Sequence, residues 1–449
     1  SASGVTSLIK VLLMMKENTI PPHCGIKTKI NHKFPTDLDA RNVHIAKRPV
    51  PWNRPGGSEN LRRVFVNNFS AAGGNTALLL EDAPLNKLQS SEGTDPRSSH
   101  IVTVSAKSAA ALKRNLANFE TFVSQANPNR QSSFLAKLSY TTTARRMHHP
   151  FRVAITATNT SELCQILSSK SQLAPENFRR VSAAAKKVNF VFSGQGAQYS
   201  AMGRRLFDNS TSFRKDILDF DGFGRAHGFP SFLPLIDGSV EVQNLEPLIV
   251  QLGTVCLQMA LANLWKSLGV EPTFVTGHSL GYFATLHVAG ILTASDTIYL
   301  VGKRARLLQD KCKQGTHGML AIRASLARIG PYLNHDLHDV ACINSPEDTV
   351  ISASDADIEV LAQILTDSGF KSTKIKVPFA FHSAQTDAIL EDLEEIASHV
   401  KFHAPCIPIG CPLLGTVVET GHSSINAKSI KRHCRETVHF VKCLEDAAN

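Results

Sequence analysis

The sequence predicts a multidomain α/β protein whose largest domain is built around a parallel β-sheet. Its 449 residues are enough for about two to three domains. A Gly-x-Ser-x-Gly segment at 277–281 lies between a short apolar strand pattern and a helix pattern. A glycine-rich turn at 193–198 follows another strand pattern, as in open α/β sheets. Residues 316–377 show the order βαββαβ, which predicts an inserted ferredoxin-like subdomain.

The first 84 residues combine one apolar helix with a pair of strands. Apolar spacing predicts the helix over 5–16, and the Asn-Thr-Ile-Pro-Pro stretch at 18–22 ends it. After irregular sequence rich in Pro, Lys and Arg, two strands at 63–69 and 76–80 flank a turn of small residues. Strands joined by such a turn are expected to pack with close backbones.

Residues 85–187 predict a linker followed by a small α/β unit. Ser, Asp, Gly and Pro dominate residues 85–100, which is the composition of a linker. The small unit contains two predicted strands and three predicted helices: strands 100–105 and 151–157, and helices 108–124, 134–140 and 161–167. Thr160 is the predicted N-cap of the last helix.

Residues 188–449 form the main predicted domain. A run of apolar residues at 188–192 predicts a buried strand, and the glycine-rich turn after it places backbone amides at the carboxyl edge of the sheet. A long apolar helix covers 246–268, and a short strand at 273–276 leads into the Gly-x-Ser-x-Gly turn. Active sites of α/β proteins lie at this sheet edge, so we expect the functional residues there.

Composition narrows the class of protein. The nine cysteines form no Cys-x-x-Cys pair, so we expect reduced thiols and no metal site. The formal net charge of +10 comes from dispersed residues, which argues against nucleic acid and is compatible with an acidic carrier protein or a phosphate-rich substrate. Apolar stretches are short or broken by charge, so we expect no membrane span, no signal peptide and a cytoplasmic location.

Ser279 is the predicted nucleophile. In a turn between a strand and a helix, Gly277 and Gly281 remove the β-carbons that would crowd a strained serine, as in α/β-hydrolase-like cores. The alternative is an ordinary helix-capping serine. The backbone amides of Leu280 and Gln195 are the predicted donors to an oxyanion.

A serine hydroxyl needs a base, and His382 is our choice among the 18 histidines. It follows the last strand of the inserted subdomain, where the chain returns to the sheet edge. His278, next to the serine, is the competing candidate. A structural histidine in an apolar loop is the ordinary alternative for His382.

Five motifs occur in one order along the main domain. They are Phe192-Ser193-Gly194-Gln195-Gly196-Ala197-Gln198, Gly277-His278-Ser279-Leu280-Gly281, Gly302-Lys303-Arg304-Ala305-Arg306, Asn344-Ser345-Pro346 and Phe381-His382-Ser383. In order and spacing they resemble malonyl-CoA:acyl carrier protein transacylases. Residues 63–80 resemble the C-terminal end of a thiolase-fold ketosynthase, without its catalytic residues, and residues 142–150 resemble the linker domain that follows it. The chain thus resembles a continuous stretch of a fungal iterative non-reducing polyketide synthase, with a ketosynthase fragment at 1–84, a linker domain at 85–187 and an acyltransferase at 188–449.

This resemblance implies roles for particular residues. Ser279 would be the nucleophile and His382 the base, and Arg304 would pair with the free carboxylate of a malonyl group, which a guanidinium fork matches. Four further residues match substrate-pocket positions: Gln251, His278, Asn344 and Phe381. The ring of Phe381 would leave little room for an α-methyl group, which favours malonyl over methylmalonyl.

The resemblance also implies a reaction and its partners. Malonyl-CoA would be the substrate, the phosphopantetheine thiol of an acyl carrier protein the acceptor, and other domains of the same synthase the neighbours, with no permanently bound cofactor. A serine thioesterase or editing hydrolase and a non-catalytic docking fragment are the alternatives. Tyr282 stands where the family usually has an acidic residue. A backbone carbonyl at 410–412 is expected to orient His382, with Asp387 as the alternative.

Overall fold

The structure is a computed structural model that describes residues 2–54, 61–71, 73–83, 97–125, 131–182 and 187–448. The chain divides into two compact units, Ser1–Thr94 and Asp95–Asn449. Most of the predicted linker at 85–100 lies outside the described residues.

The first unit contains the predicted helix and both predicted strands. Its elements are α1 (Ser3–Glu17), β1 (Thr19–Ile20), β2 (Val50–Pro51), β3 (Arg63–Phe69) and β4 (Asn75–Glu81). Strands β3 and β4 pair antiparallel, as do β1 and β2. Arg62 and Asp82 form a buried ion pair of 2.8 Å, and hydrogen bonds from Arg62 lower the pKa of Asp82 to about 2. This pair joins the residue before β3 to the residue after β4.

The second unit begins with a small α/β layer. Its elements are β5 (His100–Ala106), α2 (Ala109–Ser124), α3 (Gln131–Tyr140), β6 (Phe151–Ala157) and α4 (Thr160–Gln172). Strands β5 and β6 pair antiparallel, and their buried face packs on the helices through residues such as Leu112 and Leu163. The predicted cap of α4 was wrong by one residue. Asn159, not Thr160, is extended and accepts a hydrogen bond from the amide of Glu162 at 2.9 Å.

The remainder of the second unit holds the main domain and its insertion. Its strands are β7 (Asn189–Phe192), β8 (Phe274–Gly277), β9 (His317–Ile322), β10 (Asp339–Ser345), β11 (Asp348–Ser354), β12 (Ser372–Ile375), β13 (Ile409–Cys411) and β14 (Thr416–Val418). Its helices are α5 (Arg204–Asn209), α6 (Thr211–Ala226), α7 (Leu233–Asp237), α8 (Pro247–Ser267), α9 (Gly281–Val288), α10 (Ala294–Lys311), α11 (Leu326–Ile329), α12 (Asp355–Asp367), α13 (Leu390–Ser398), α14 (Ala427–Arg435) and α15 (Phe440–Ala448).

The main sheet has the strand order β14-β13-β8-β7. Strand β8 pairs parallel with β7 and with β13, and β14 is antiparallel. The prediction that residues 188–192 form a buried strand was wrong in one respect, because β7 lies at the sheet edge and Val191 is 54% exposed. An apolar run predicts a strand but does not distinguish an edge strand from a central one.

Helix α8 is the central helix of the main domain. It is long and apolar enough to cross a membrane by length and composition alone, yet 72% of its most apolar window is buried inside the structure. Leu252, Val255 and Met259 on this helix belong to the large core that also includes the helices after β8. In this structure α8 therefore serves as a core helix.

The insertion forms a separate four-stranded antiparallel sheet of order β10-β11-β9-β12. Its own small core joins the sheet to α12 through residues such as Ile351 and Leu361. The first helix of the insertion, α11, is short, because it ends at Ile329 and a 3₁₀ turn follows. Pro331 has no amide hydrogen to continue the α-helical hydrogen bonds.

Candidate active site

The turn between β8 and α9 carries Ser279 in a strained backbone conformation. Its φ angle is +48°, which is rare for a residue with a side chain. A β-carbon on Gly277 would lie 2.3 Å from the carbonyl of Gly281, and one on Gly281 would lie 2.5 Å from the carbonyl oxygen of Phe192. Both glycines are therefore required for this turn to form against β7.

His382 lies next to the serine hydroxyl. Its Nε2 is 2.7 Å from Ser279 Oγ, and its Nδ1 is 3.0 Å from the carbonyl oxygen of Glu436. A carbonyl can only accept, so Nδ1 carries the hydrogen and Nε2 is free to accept the serine proton. The expected carbonyl at 410–412 was therefore wrong, and the Asp387 carboxylate instead accepts from Arg435 at 2.7 Å.

Burial determines the protonation state of His382. The side chain is almost fully inaccessible, and desolvation, followed by the neighbouring His433, Arg304 and His278, holds its pKa well below the ordinary value of 6.5. The hydrogen bond to the carbonyl of Glu436 raises the pKa of His382 and offsets these effects only in part. The imidazole is thus neutral at neutral pH, which is the form that accepts a proton.

The glycine-rich turn packs directly against the serine turn. A β-carbon on Gly194 would lie 2.8 Å from Nδ1 of His278, and the side-chain amide of Gln258 donates to the Ser193 carbonyl at 2.7 Å. Within the described residues, the backbone amides of Gln195 and Leu280 have no hydrogen-bond acceptor. Two free N–H groups on the two packed turns can serve an oxyanion.

His278 is committed to other contacts. Its Nε2 lies 2.8 Å from Oδ1 of Asn344, whose amide in turn donates to Asp348 at 3.4 Å. Burial lowers the pKa of His278, and its ring lies 5.4 Å from that of Phe440. Asn344 is on β10, so this contact joins the serine turn to the inserted sheet.

Arg304 on α10 supplies a buried positive charge. It is 4% exposed, its Nη1 donates to Oε1 of Gln251 at 2.7 Å, and its guanidinium carbon lies 5.2 Å from the ring centroid of Phe381. In the part of the chain that the structure describes, no Asp or Glu side chain forms an ion pair with it. The Nε2 of Gln251 is also buried and lacks an acceptor there. A cation and an amide donor are thus available to bind an anion.

His433 on α14 was missed by the sequence reasoning. Its Nε2 lies 3.0 Å from the carbonyl oxygen of Ser279, and its ring centroid is 5.8 Å from that of His382. Burial, the largest cause, lowers its pKa to about 4. It lies 154 residues beyond Ser279 and outside the five motifs of the main domain, so only the fold reveals it.

Tyr282 fills the position where an acidic residue was expected. It is 1% exposed, its hydroxyl donates to Sγ of Cys411 at 3.3 Å, and its ring packs 4.7 Å from that of His433. Burial raises the pKa of the phenol well above 10. An uncharged ring therefore lies beneath the serine turn.

Among the described residues, no group of three or more His, Cys, Asp or Glu side chains is placed to hold a metal ion.

The sequence of this chain is similar to acyl transferase domains and to fungal polyketide synthases. The family model of the acyl transferase domain matches residues 189–449, and a model described as CurL-like, PKS C-terminal matches residues 100–167. Polyketide synthase 1 of Metarhizium brunneum is 59% identical over 448 residues, which are 100% of this chain and 20% of that protein. Non-reducing polyketide synthase PKS12 of Gibberella zeae is 56% identical over 448 residues, which are 100% of this chain and 21% of that protein.

A solved structure agrees with these matches at the level of the fold. The acyl transferase domain of SpnD, in complex with 2-(pent-4-yn-1-yl)malonyl, has a TM-score of 0.67 at 21% identity and covers 78% of this chain and 82% of that one. The chain spans about a fifth of the length of the curated relatives that it matches. Since the family model covers more than half of its residues, the chain belongs to the acyl transferase domain family.

Proposed function

We propose that this chain transfers a malonyl group from malonyl-CoA to the phosphopantetheine thiol of an acyl carrier protein, through an ester on Ser279. The observation that carries the substrate assignment is the buried guanidinium of Arg304, which has no acidic partner among the described residues. A buried unpaired charge is unfavourable, so the pocket favours a substrate that brings an anion. A malonyl thioester has one free carboxylate, at the end away from its reacting carbonyl.

Two neighbours of Arg304 refine the pocket. Gln251 accepts from the guanidinium through its carbonyl oxygen, and its buried amide nitrogen has no acceptor among the described residues. A carboxylate has two oxygens, and the guanidinium and this amide supply donors for both. Phe381 stacks on Arg304 at 5.2 Å, and a bulky ring beside the carboxylate site would leave little room for an α-methyl group, which supports malonyl over methylmalonyl.

The dyad of Ser279 and His382 then performs the transfer in two half-reactions. Ser279 Oγ attacks the thioester carbonyl while Nε2 of His382 takes the hydroxyl proton, and the amides of Gln195 and Leu280 donate to the oxyanion. The intermediate collapses, the C–S bond breaks, and His382 returns the proton to the departing CoA thiolate. In the second half-reaction the phosphopantetheine thiol attacks the ester, His382 takes its proton, and Ser279 leaves as the reprotonated hydroxyl.

The partners follow from the relatives and from charge. Both curated relatives described above are polyketide synthases, so we propose that an acyl carrier protein and other domains of the same synthase act beside this chain. A formal net charge of +10 favours an acidic carrier. We assign residues 1–84 to a thiolase-fold ketosynthase fragment, 85–187 to a linker domain, and 188–449 to an α/β-hydrolase-like acyltransferase. The sheet order within 316–377 supports a ferredoxin-like insertion.

Intact-protein mass spectrometry tests the function. The parent protein mixed with malonyl-CoA should gain the mass of one malonyl group, and Ser279→Ala should gain none. Absence of an adduct on the parent would overturn the proposal, and so would an adduct of equal yield on the Ser279→Ala variant.

A further inference from the structure

One short segment at the end of α14 contacts both members of the dyad. His433 donates from Nε2 to the carbonyl oxygen of Ser279 at 3.0 Å, and the carbonyl of Glu436 accepts from Nδ1 of His382 at 3.0 Å. Three residues apart, these two groups hold the backbone of the nucleophile and the ring of the base. The separation of 2.7 Å between Ser279 Oγ and His382 Nε2 therefore depends on this segment.

The segment is itself anchored from both sides. The guanidinium of Arg435 bonds to Asp339 at 2.9 Å and to Asp387 at 2.7 Å, which lie on the inserted sheet and on the turn after His382. The amide of Val438 donates to the carbonyl of Ala341 at 2.9 Å. These bonds fix α14 and the residues after it relative to both turns of the site.

His433 bonds to Ser279, one of two non-glycine site residues with a positive φ angle, the other being His382 at +58°. The φ angle of +48° at Ser279 is unfavourable for a side chain and persists only where neighbours enforce it. The carbonyl of Ser279 lies on the turn that must stay in this conformation, and the imidazole N–H of His433 holds it. The ring of His433 also stands at 75° to that of His382, at 5.8 Å, and so limits rotation of the base.

The surroundings keep His433 uncharged. The rings of Tyr282, Phe283 and His382 pack against it, and the nearby Arg304 and His278 disfavour a positive charge on it. Its pKa falls to about 4, so a neutral ring lies beside His382. A cation at this point would oppose protonation of the base during transfer.

We propose that His433 is a positioning residue of the acyl transfer, which holds the strained serine turn through the Ser279 carbonyl and sets the orientation of His382. This inference rests on the proposed role of Ser279 as the acylated nucleophile. It assigns His433 no contact with substrate. Loss of its hydrogen bond should slow acylation and leave substrate binding nearly unchanged.

Three variants separate positioning from general stability. His433→Leu removes the donor at similar volume, and His433→Gln places an amide N–H near the position of Nε2. His287→Leu is the matched control, because His287 is partly buried on the neighbouring helix α9 and bonds a backbone carbonyl, that of Leu292, at 3.3 Å. Should the His433→Leu protein not fold, His433→Asn replaces it, since its shorter side chain does not reach the Ser279 carbonyl.

The readouts are the single-turnover acylation rate at saturating malonyl-CoA, the half-saturating malonyl-CoA concentration, the melting temperature, and the rate of labelling by a fluorophosphonate. We expect His433→Leu to slow both labelling reactions by about 10- to 100-fold, with half-saturation changed by less than about threefold. His433→Gln should recover most of the rate, and His287→Leu should lower the melting temperature with the acylation rate kept. A fluorophosphonate reacts with an activated serine and needs no malonyl group. If malonyl-CoA fails to label the parent protein while the fluorophosphonate labels it, the result counts against the proposed function and not against the role of His433.

Two results would overturn the inference. One is a parent-like labelling rate for folded His433→Leu. The other is a loss of rate in all three variants that follows their melting temperatures, with no recovery in His433→Gln.

Discussion

The carbonyl oxygen of Glu436 accepts a hydrogen bond of 3.0 Å from Nδ1 of His382. The bond leaves Nε2 facing the serine, and burial holds the pKa of this imidazole well below 6.5. Because the base stays neutral, the acylation rate constant should be independent of pH from about pH 8 to about pH 6.5 and fall only in more acidic buffer. Rapid-quench measurement of malonyl-enzyme formation across this range checks it. An acid limb centred at or above the ordinary imidazole pKa would contradict the assignment of a buried neutral base.

Replacing Arg304 should change which acyl group is accepted. Arg304→Ala removes the buried cation that we assign to the malonyl carboxylate, so kcat/KM for malonyl-CoA should fall by about 10- to 150-fold, in line with loss of a charged hydrogen bond. Acetyl-CoA has no carboxylate, and its reaction should be affected far less. Adduct formation with each thioester, measured side by side, reports the ratio. Equal losses for both substrates would show that Arg304 acts only through the fold.

The serine turn should not tolerate a β-carbon at Gly281. In Gly281→Ala that atom would lie 2.5 Å from the carbonyl oxygen of Phe192, so β7 and the turn would have to separate and labelling of Ser279 should be lost. Gly222→Ala is the control, since a β-carbon there meets nothing within 4 Å on helix α6. That change should stabilise the protein by about 0.5–1 kcal/mol and keep activity. An active Gly281→Ala protein would show that the serine turn can accommodate a β-carbon at this position.

Tyr282 should act through its ring more than through its hydroxyl. The contact from its Oη to Sγ of Cys411 is a weak hydrogen bond, so Tyr282→Phe should lower the free energy of unfolding by less than about 1 kcal/mol and keep the acylation rate. Tyr282→Ala leaves a cavity beneath the serine turn and should cost about 3–5 kcal/mol. Chemical denaturation and labelling of each variant test the difference. A Tyr282→Phe protein as damaged as Tyr282→Ala would point to an essential hydroxyl.

The parts of the site that depend on local geometry could be predicted from the sequence. Glycines on both sides of Ser279 mark a turn that few other residues can form, and the structure places it between β8 and α9. The position of His382 after the last strand of the insertion, together with the family resemblance, predicted it as the base. Its Nε2 lies 2.7 Å from Oγ of Ser279. Their catalytic roles stay predictions until the labelling experiments are done.

What could not be predicted depends on contacts between distant segments. The carbonyl that orients His382 comes from Glu436, and a backbone carbonyl leaves no trace in residue type. His433 reaches Ser279 only because α14 packs beneath the turn, which no periodicity reports. The edge position of β7 also depends on its sheet partners, since its residues alone fit a buried strand equally well.

The most direct test of the account follows the fate of the malonyl group on Ser279. The malonyl-enzyme, freed of CoA, is mixed with an acyl carrier protein that bears phosphopantetheine, and the mass of both proteins is followed in time. The malonyl mass should leave the Ser279 peptide and appear on the carrier thiol at the same rate, with slow release of malonate when the carrier is absent. Rapid release as free malonate would identify a hydrolase, and an adduct that persists in the presence of the carrier would contradict transfer.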